Sequence, residues 1–392
     1  MPPLPKEINK RQAQLARFLR KKGLDAALIR YPLHIFYFSG TFVDGHLLVT
    51  AQGKALLLVY RPYSRACEEA SVEEVVPFRS LKALPGLLRD FGIKIIGLEY
   101  DRLPVKDFNR YQQLLTGFVL EDISDIIWRL RARKSPYEIE CQRKAASMLA
   151  EALEGALKNF SPGVTELEAA GYLEASLRQR GHPAHTRVAR WTQELAYGHV
   201  LFGNNATFPA YTTTGQGGAG VIGFPQGPSF RKLYPEDIIL IDYAGWCEGY
   251  MVDQTRMFSW THPSQKVYAI YQKVLDLMQE LEEMLRPGIY AEEIYNQAQK
   301  LAKSQGLEEY FMAHGSEKVP FVGHGVGLEI DEWPPIASGV SLPLEAGMVV
   351  ALEPKCHVPE LGVIGVEDTF LITQEGAQRL TFFPREWKKL GI

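Results

Sequence analysis

Four acidic residues sit at the end of, or inside, apolar runs. Asp242 closes Ile239-Leu-Ile, Asp253 stands eleven positions later in Asp-Gln-Thr-Arg256, Glu353 closes Val349-Val-Ala-Leu, and Glu367 follows Gly365-Val. An unpaired carboxylate in such surroundings costs several kcal/mol or gives up its charge. Any fold of this chain must therefore supply these acids with a cation. The same segments contain only Lys355 and Arg256 as basic partners, which makes ion pairing a weak explanation for four acids at once.

Gly245 and Gly249 lie between the two aspartates and could close a hairpin that turns both carboxylates toward one point. Taken alone, an aspartate ending a strand is more often a cap or a turn residue. Gly323-His-Gly-Val-Gly327 places glycines on both sides of His324, letting backbone approach the imidazole, although a single buried histidine is usually structural. Four carboxylates and a neutral imidazole balance two divalent ions, and oxygen-rich ligation suits Mn²⁺, Co²⁺ or Zn²⁺. Asp242, Asp253, His324, Glu353 and Glu367 together point to a two-metal hydrolytic centre.

The rest of the chain is organised around a boundary. Before it, short apolar runs alternate with helical patterns: a helix over Glu7–Lys22 capped by Gly23, strands over Ala26–Ile29, Leu47–Thr50, Ala55–Tyr60 and Ile93–Leu98, and a helix over Leu81–Phe91. This is an α/β layer domain of residues 1–130. A basic segment then ends in Ser135-Pro136, an N-cap followed by proline at the first helical position. Beyond it, residues 131–392 read as helices over 136–159, 166–179, 265–285 and 291–303 and strands over 238–242 and 250–258, with strands and turns from Val319 onward.

The chain has 392 residues, 43 Lys plus Arg against 46 Asp plus Glu, and four dispersed cysteines. That balance gives no basic field for nucleic acid, and no run approaches the roughly 18 apolar residues of a membrane span. No membrane partner, a reducing compartment and a cytoplasmic location are expected.

The ordered set of Asp, Asp-x-Thr-Arg, Gly-His-Gly-x-Gly, Glu-Pro and Glu-Asp resembles the pita-bread metallopeptidases. These include methionine aminopeptidase, Xaa-Pro aminopeptidase and Xaa-Pro dipeptidase, with creatinase as a metal-free relative. Lys134 to Ala146, Gly23-Leu-Asp-Ala-Ala-Leu-Ile and Ile35-Phe-Tyr-Phe-Ser-Gly40 are similar to the proline-directed and creatinase branch. The resemblance implies an α/β (α+β) chain with a creatinase-like N-terminal α/β domain and a C-terminal pita-bread fold. It further implies that Asp242 and Asp253 hold one metal, with Asp253 bridging, and that His324 holds the other. Glu353 and Glu367 complete the set, Glu353 also taking a proton from the attacking water, with Thr255 orienting the ligands. A homodimer acting on a short peptide follows from the same resemblance.

Three departures fall on substrate-handling positions. Gly223-Phe-Pro-Gln-Gly-Pro-Ser-Phe230 lacks the histidine that follows proline in the family, Asp331 replaces a second histidine, and Gly365 stands where the proline-directed enzymes usually carry arginine. His199 is a candidate replacement imidazole, with a packing role as its alternative. Asp331, an acceptor unless protonated, is a candidate active-site residue. His182-x-x-His185 has metal-pair spacing, but Pro183 opposes the helix that would align it. Thr212 to Thr214 precede Gly215-Gln-Gly-Gly-Ala-Gly220, which lacks the strand and helix of a dinucleotide site. Trp191, Phe202, Phe208, Tyr211, Phe224 and Trp333 could line an apolar pocket or fill cores. Three readings follow: a metal-dependent peptidase releasing the N-terminal residue of short peptides, a dinuclear enzyme acting on another small amino-acid derivative, or a non-catalytic binding protein on the same fold.

Overall fold

The computed structural model describes residues 4–190, 192–212 and 215–391. The chain separates into two compact units, residues 1–131 and 132–392.

In the first unit, helix α1 (Pro5–Lys22) buries Ile8, Leu15 and Leu19 along one stripe and stops at Gly23, whose φ of 73° places it in the left-handed region open to glycine. Then follow β1 (Ala26–Ile29), α2 (Pro32–Ser39), β2 (Asp44–Thr50), β3 (Ala55–Arg61), α3 (Tyr63–Glu69), β4 (Glu74–Pro77), α4 (Leu84–Asp90), β5 (Ile95–Leu98), α5 (Val105–Leu114), β6 (Val119–Asp122) and α6 (Ser124–Ala132). The strands form one sheet in the order β4-β3-β2-β1-β5-β6. Its core packs Leu28, Leu48, Leu58, Ile96 and Leu98 against Leu84 and Leu88 of α4. The chain from 81 to 90 is a 3₁₀ turn leading into the short α4, not one continuous helix.

The second unit opens with α7 (Pro136–Leu157) and α8 (Glu166–Gln179). Ser135 and Thr165 each cap their helix, accepting from the N–H of Glu138 and Glu168, which in turn accept from the caps' own N–H groups. Strands β7 (Gly198–Phe202), β8 (Ile238–Cys247) and β9 (Tyr250–Ser259), helices α9 (Gln265–Met284) and α10 (Ala291–Ser304), and strands β10 (Phe321–Val326), β11 (Ile330–Ala337), β12 (Val349–Leu352), β13 (Lys355–Val358), β14 (Gly362–Gly365), β15 (Asp368–Ile372), β16 (Ala377–Arg379) and β17 (Lys388–Lys389) complete it. Its strands form two sheets, β17-β9-β8-β7 and β11-β10-β12-β15-β16, and a separate two-stranded ladder, β13-β14.

The hairpin joining β8 to β9 turns at Glu248 and Gly249, whose φ values are 50° and 95°. Gly245 is not part of that turn. It lies inside β8, opposite Val252, where a β-carbon would collide with the Ala145 carbonyl of α7. The two sheets are tied by paired bonds: Thr369 Oγ1 donates to the Asp253 carbonyl at 2.9 Å and accepts from the Asp253 N–H at 2.8 Å.

Candidate metal centre

The register of β8 and β9 sets the first half of the site. Asp242 pairs with Thr255 and Ala244 with Asp253, so Asp242, Asp253 and Thr255 project from the same sheet face. His324 enters from the middle of β10, paired with Ala351 of β12. Glu353 follows the last residue of β12, and Glu367 precedes the first residue of β15. The glycines around His324 serve the strand neighbours: a β-carbon on Gly323 would meet the Ala351 carbonyl, and one on Gly325 the Trp333 carbonyl. Backbone packing explains them, not access to the imidazole.

All five expected ligands converge and all are buried. His324 Nε2 lies 3.5 Å from Glu353 Oε1, 3.6 Å from Glu367 Oε1 and 4.0 Å from Asp253 Oδ2. Asp253, His324 and Glu367 each offer one atom to a common group within 4.8 Å, the only such metal-capable cluster among the described residues. Glu367 Oε1 is buried without a hydrogen-bond partner, an acceptor that a cation at this group would satisfy. One divalent ion fits here. Thr255 Oγ1 donates to the other oxygen of Glu367 at 2.8 Å.

The other half of the site holds Lys355. Its Nζ lies 2.8 Å from Glu353 Oε2, 2.9 Å from Asp242 Oδ2 and 3.3 Å from Glu367 Oε2, with no solvent exposure of the side chain. Ion pairing with this lysine, a weak explanation for four acids on sequence grounds, holds for three of them. A divalent ion bound to those same oxygens at about 2.0–2.2 Å would stand where the ammonium does. A second divalent ion does not fit beside Lys355 as it lies.

Burial pushes Asp253 well above the usual carboxylate range, helped by Glu367 and Asp242. Burial also raises Asp242, but the Lys355 ammonium, with the hydrogen bond from Gln216, leaves it below its ordinary value. For His324, burial favours the neutral ring, yet the neighbouring carboxylates of Glu367, Asp331 and Glu353 raise it well above the ordinary value.

A narrow cleft of about 30 Å³ opens beside these groups, with His199, Tyr197, Gln216, Asp331, Leu195 and Val188 in its wall. His199 lies directly across the ladder from Asp242. Its Nδ1 faces Gln216 Nε2 at 3.0 Å, and Gln216 also donates to Asp242 Oδ2. A β-carbon on Gly227 would stand 2.8 Å from the His199 ring, so the histidine packs against the segment 223–230 that itself lacks one. Asp331, at a φ of 63°, lies 3.3 Å from Arg190 Nε and 3.9 Å from His324 Nδ1.

Other singled-out residues lie elsewhere. His182 stacks on Tyr197 at 4.9 Å, and neither it nor His185 joins the metal-capable cluster. Phe202 is in the core, Phe208 and Tyr211 are exposed, and Trp333 packs against the larger core. Of the six aromatics expected around a pocket, none described lines this cleft; Trp191, like Thr213 and Thr214, falls outside the described residues. Gly215 lies against Glu353 and Lys355, and among the described residues no strand leads into the glycine run. Gln216, Tyr197 and Arg190 escaped the sequence reading, since nothing local distinguishes them from surface or core residues.

Residues 140–374 match Metallopeptidase family M24, and residues 11–133 match the Creatinase/Prolidase N-terminal domain. The chain belongs to metallopeptidase family M24. It is 28% identical to an Xaa-Pro dipeptidase of Pyrococcus furiosus over 384 residues, 97% of this chain and 99% of that one. Among solved structures it resembles the prolidase of Pyrococcus horikoshii, with a TM-score of 0.80, 27% identity and coverage of 96% and 99% of the two chains. It shares the fold of an Xaa-Pro dipeptidase from Bacillus anthracis, with a TM-score of 0.82 at 24% identity and coverage of 97% and 99%. As an M24 member the chain is a metal-dependent peptidase, with a creatinase-type N-terminal domain and a pita-bread C-terminal domain. The expected fold and enzyme class are borne out.

Proposed function

We propose that this enzyme releases the N-terminal residue from short peptides, with the Xaa-Pro bond of dipeptides or longer peptides as its substrate. The observation that carries the reading is the convergence of Asp253, His324 and Glu367 on one group at the wall of a cleft that also holds Glu353, Asp331 and His199. A divalent cation, Mn²⁺, Co²⁺ or Zn²⁺, held by Asp253, His324 and Glu367, supplies Lewis acidity and lowers the pKa of water.

The chain's own groups do the rest. Glu353 accepts the proton of the attacking water. Burial raises its carboxyl to about 7 against the opposing pull of Lys355, which suits a group that takes up and returns a proton near neutrality. Thr255 holds Glu367 in one orientation. His199 is neutral, its pKa lowered to about 4 by burial. Because the Gln216 amide N–H points at Nδ1, the ring proton sits on Nε2 and is available as a donor to substrate. Asp242 is held by Lys355 and Gln216, opposite His199.

Supporting a homodimer is the family resemblance alone, and supporting a reducing, cytoplasmic setting is the free state of all four cysteines. Among the described residues no helix is long and apolar enough to cross a membrane.

The test is release of the N-terminal residue from Xaa-Pro dipeptides, longer Xaa-Pro peptides and Met- or Leu-initiated peptides by stripped enzyme reloaded with each metal. Metal-dependent cleavage confined to the proline class is expected. Metal uptake with no cleavage in any class would favour a second reading, hydrolysis or elimination on a non-peptide amino-acid derivative. Asp331 favours that alternative, since it puts an acceptor paired with Arg190 where a donor to a peptide carbonyl is expected.

A further inference from the structure

We propose that this centre holds a single divalent cation, at Asp253, His324 and Glu367, and that the Lys355 ammonium permanently fills the second cation position. The inference rests on the reading of the site as a divalent-metal centre and fixes its stoichiometry.

Three observations carry it. The first is the division of oxygens. Glu353 and Glu367 each turn one oxygen toward Lys355 Nζ and the other toward His324 Nε2. Two cationic positions therefore lie side by side and share these two carboxylates, as a pair of ions would. Asp242 belongs to the lysine side and is absent from the metal-capable group, whereas Asp253 belongs to that group.

The second is the match of donors to acceptors. An ammonium has three N–H bonds, and Nζ has three carboxylate oxygens within 3.3 Å, one each from Asp242, Glu353 and Glu367. All three donors are committed to protein, leaving none for a substrate oxygen. The lysine neutralises and orients these acids, and the only Lewis acid that substrate can meet is the ion on the other side.

The third is the space made for the side chain. A β-carbon on Gly365, paired with Lys355 across the β13-β14 ladder, would collide with Lys355 Cγ. Gly215, at a φ of 72°, has no room for one either: it would stand 2.7 Å from Glu353 Oε2 and 3.1 Å from Lys355 Cδ. Glycines on two separate segments thus leave a channel shaped for the lysine stem. The stem leads from β13 inward, so the ammonium has no exposed position to retreat to when metal is added.

The test counts metal. Chelator-stripped enzyme is titrated with Mn²⁺, bound metal is counted by elemental analysis after gel filtration, and the electron paramagnetic resonance spectrum is recorded. Wild type is expected to take up one equivalent and to show an uncoupled Mn²⁺ signal even with excess metal. Lys355→Ala, which removes the ammonium and opens its position, is expected to take up two equivalents and to show exchange coupling between them. Two equivalents in the wild type, none in the wild type, or one in a folded Lys355→Ala would each overturn the proposal. If that variant fails to fold, the wild-type count and spectrum decide alone. Peptide cleavage is scored separately. One bound metal without cleavage of any peptide contradicts the peptidase reading and leaves the count standing, whereas cleavage with two bound metals does the reverse.

Discussion

Thr255 Oγ1 donates a 2.8 Å hydrogen bond to Glu367 Oε2, the oxygen of that carboxylate turned away from His324. The contact joins β9 to the residue just before β15, and the Glu367 N–H closes the loop by donating to the Thr255 carbonyl at 3.2 Å. A carboxylate fixed at both its backbone and its far oxygen presents the near oxygen in one place. Thr255→Val keeps the β-branched shape and removes only the hydroxyl. Metal affinity should fall about 10- to 100-fold, the usual effect of losing a group that orients a ligand, with little change in the circular dichroism spectrum. Equal affinity in a metal titration would make Thr255 an ordinary strand residue.

Asp253 tests the metal group itself. Its backbone is held by Thr369, so the side chain can change without loosening the junction between the sheets. Burial, Glu367 and Asp242 all disfavour its charge in the absence of metal. Asp253→Asn should therefore abolish metal uptake and turnover while the metal-free protein melts at the same temperature as metal-free wild type, or higher. Retained turnover would remove Asp253 from the site.

The sequence made much of this site legible. Buried carboxylates cannot be hidden in an apolar run, and the spacing from Asp242 to Asp253 is that of one hairpin, so four acids and His324 were identifiable before any coordinates. The role of Lys355 was not. Whether a lysine two residues from Glu353 points at the same carboxylates depends on the turn at Pro354 and on the β13-β14 register, neither of which has a local sequence signal. Gly245 shows the same limit: its position suggested a turn, and the cause is a helix packed from a hundred residues away. In the first unit, β1 and the opening helix were plain because their apolar spacing is undisturbed. The helix Pro32–Ser39 was not identified as one, because seven of its eight residues are buried and it shows no polar face.

The packing of α7 on β8 can be tested directly. Gly245→Ala would drive a methyl group into the Ala145 carbonyl of α7, and a helix held by its own capping box cannot slide away without breaking the cap at Ser135. Overpacking of this kind costs about 1–3 kcal/mol. Denaturant unfolding of the metal-free protein should show a loss in that range, and a change under about 0.5 kcal/mol would mean that the helix yields freely.

The N-terminal unit carries a pH signature independent of metal. Burial, with a contribution from Arg30, lowers His46 from 6.5 to about 3, and its Nε2 lies 2.6 Å from the Tyr111 hydroxyl. The unfolded chain protonates this histidine below about pH 6.5, whereas the folded chain resists until about pH 3. Between those values the unfolded state binds more protons, so stability falls as pH falls. His46→Gln should lose less melting temperature than wild type between pH 6.5 and pH 4. Parallel curves for the two proteins would show that His46 titrates normally.

Asp331 decides how far the cleft has moved from a peptide-cleaving arrangement. Its backbone has a φ of 63°, a conformation that histidine tolerates better than most residues, so Asp331→His can be made without added backbone strain. The substitution removes the partner of Arg190 at 3.3 Å and one of the anions that raises His324. It places an imidazole donor at a point of the cleft wall where the wild type has a carboxylate. With a less anionic neighbourhood His324 gives up its proton more readily, which favours metal binding at a given pH. If the donor limits Xaa-Pro cleavage, kcat/KM for those peptides should rise at least about tenfold, the equivalent of roughly 1.4 kcal/mol of added transition-state stabilisation, with the gain in kcat. A rise confined to metal affinity, with kcat unchanged at saturating metal, would place Asp331 as a neighbour of His324 and not a contact of the substrate. No change in either quantity would turn the search toward substrates other than peptides.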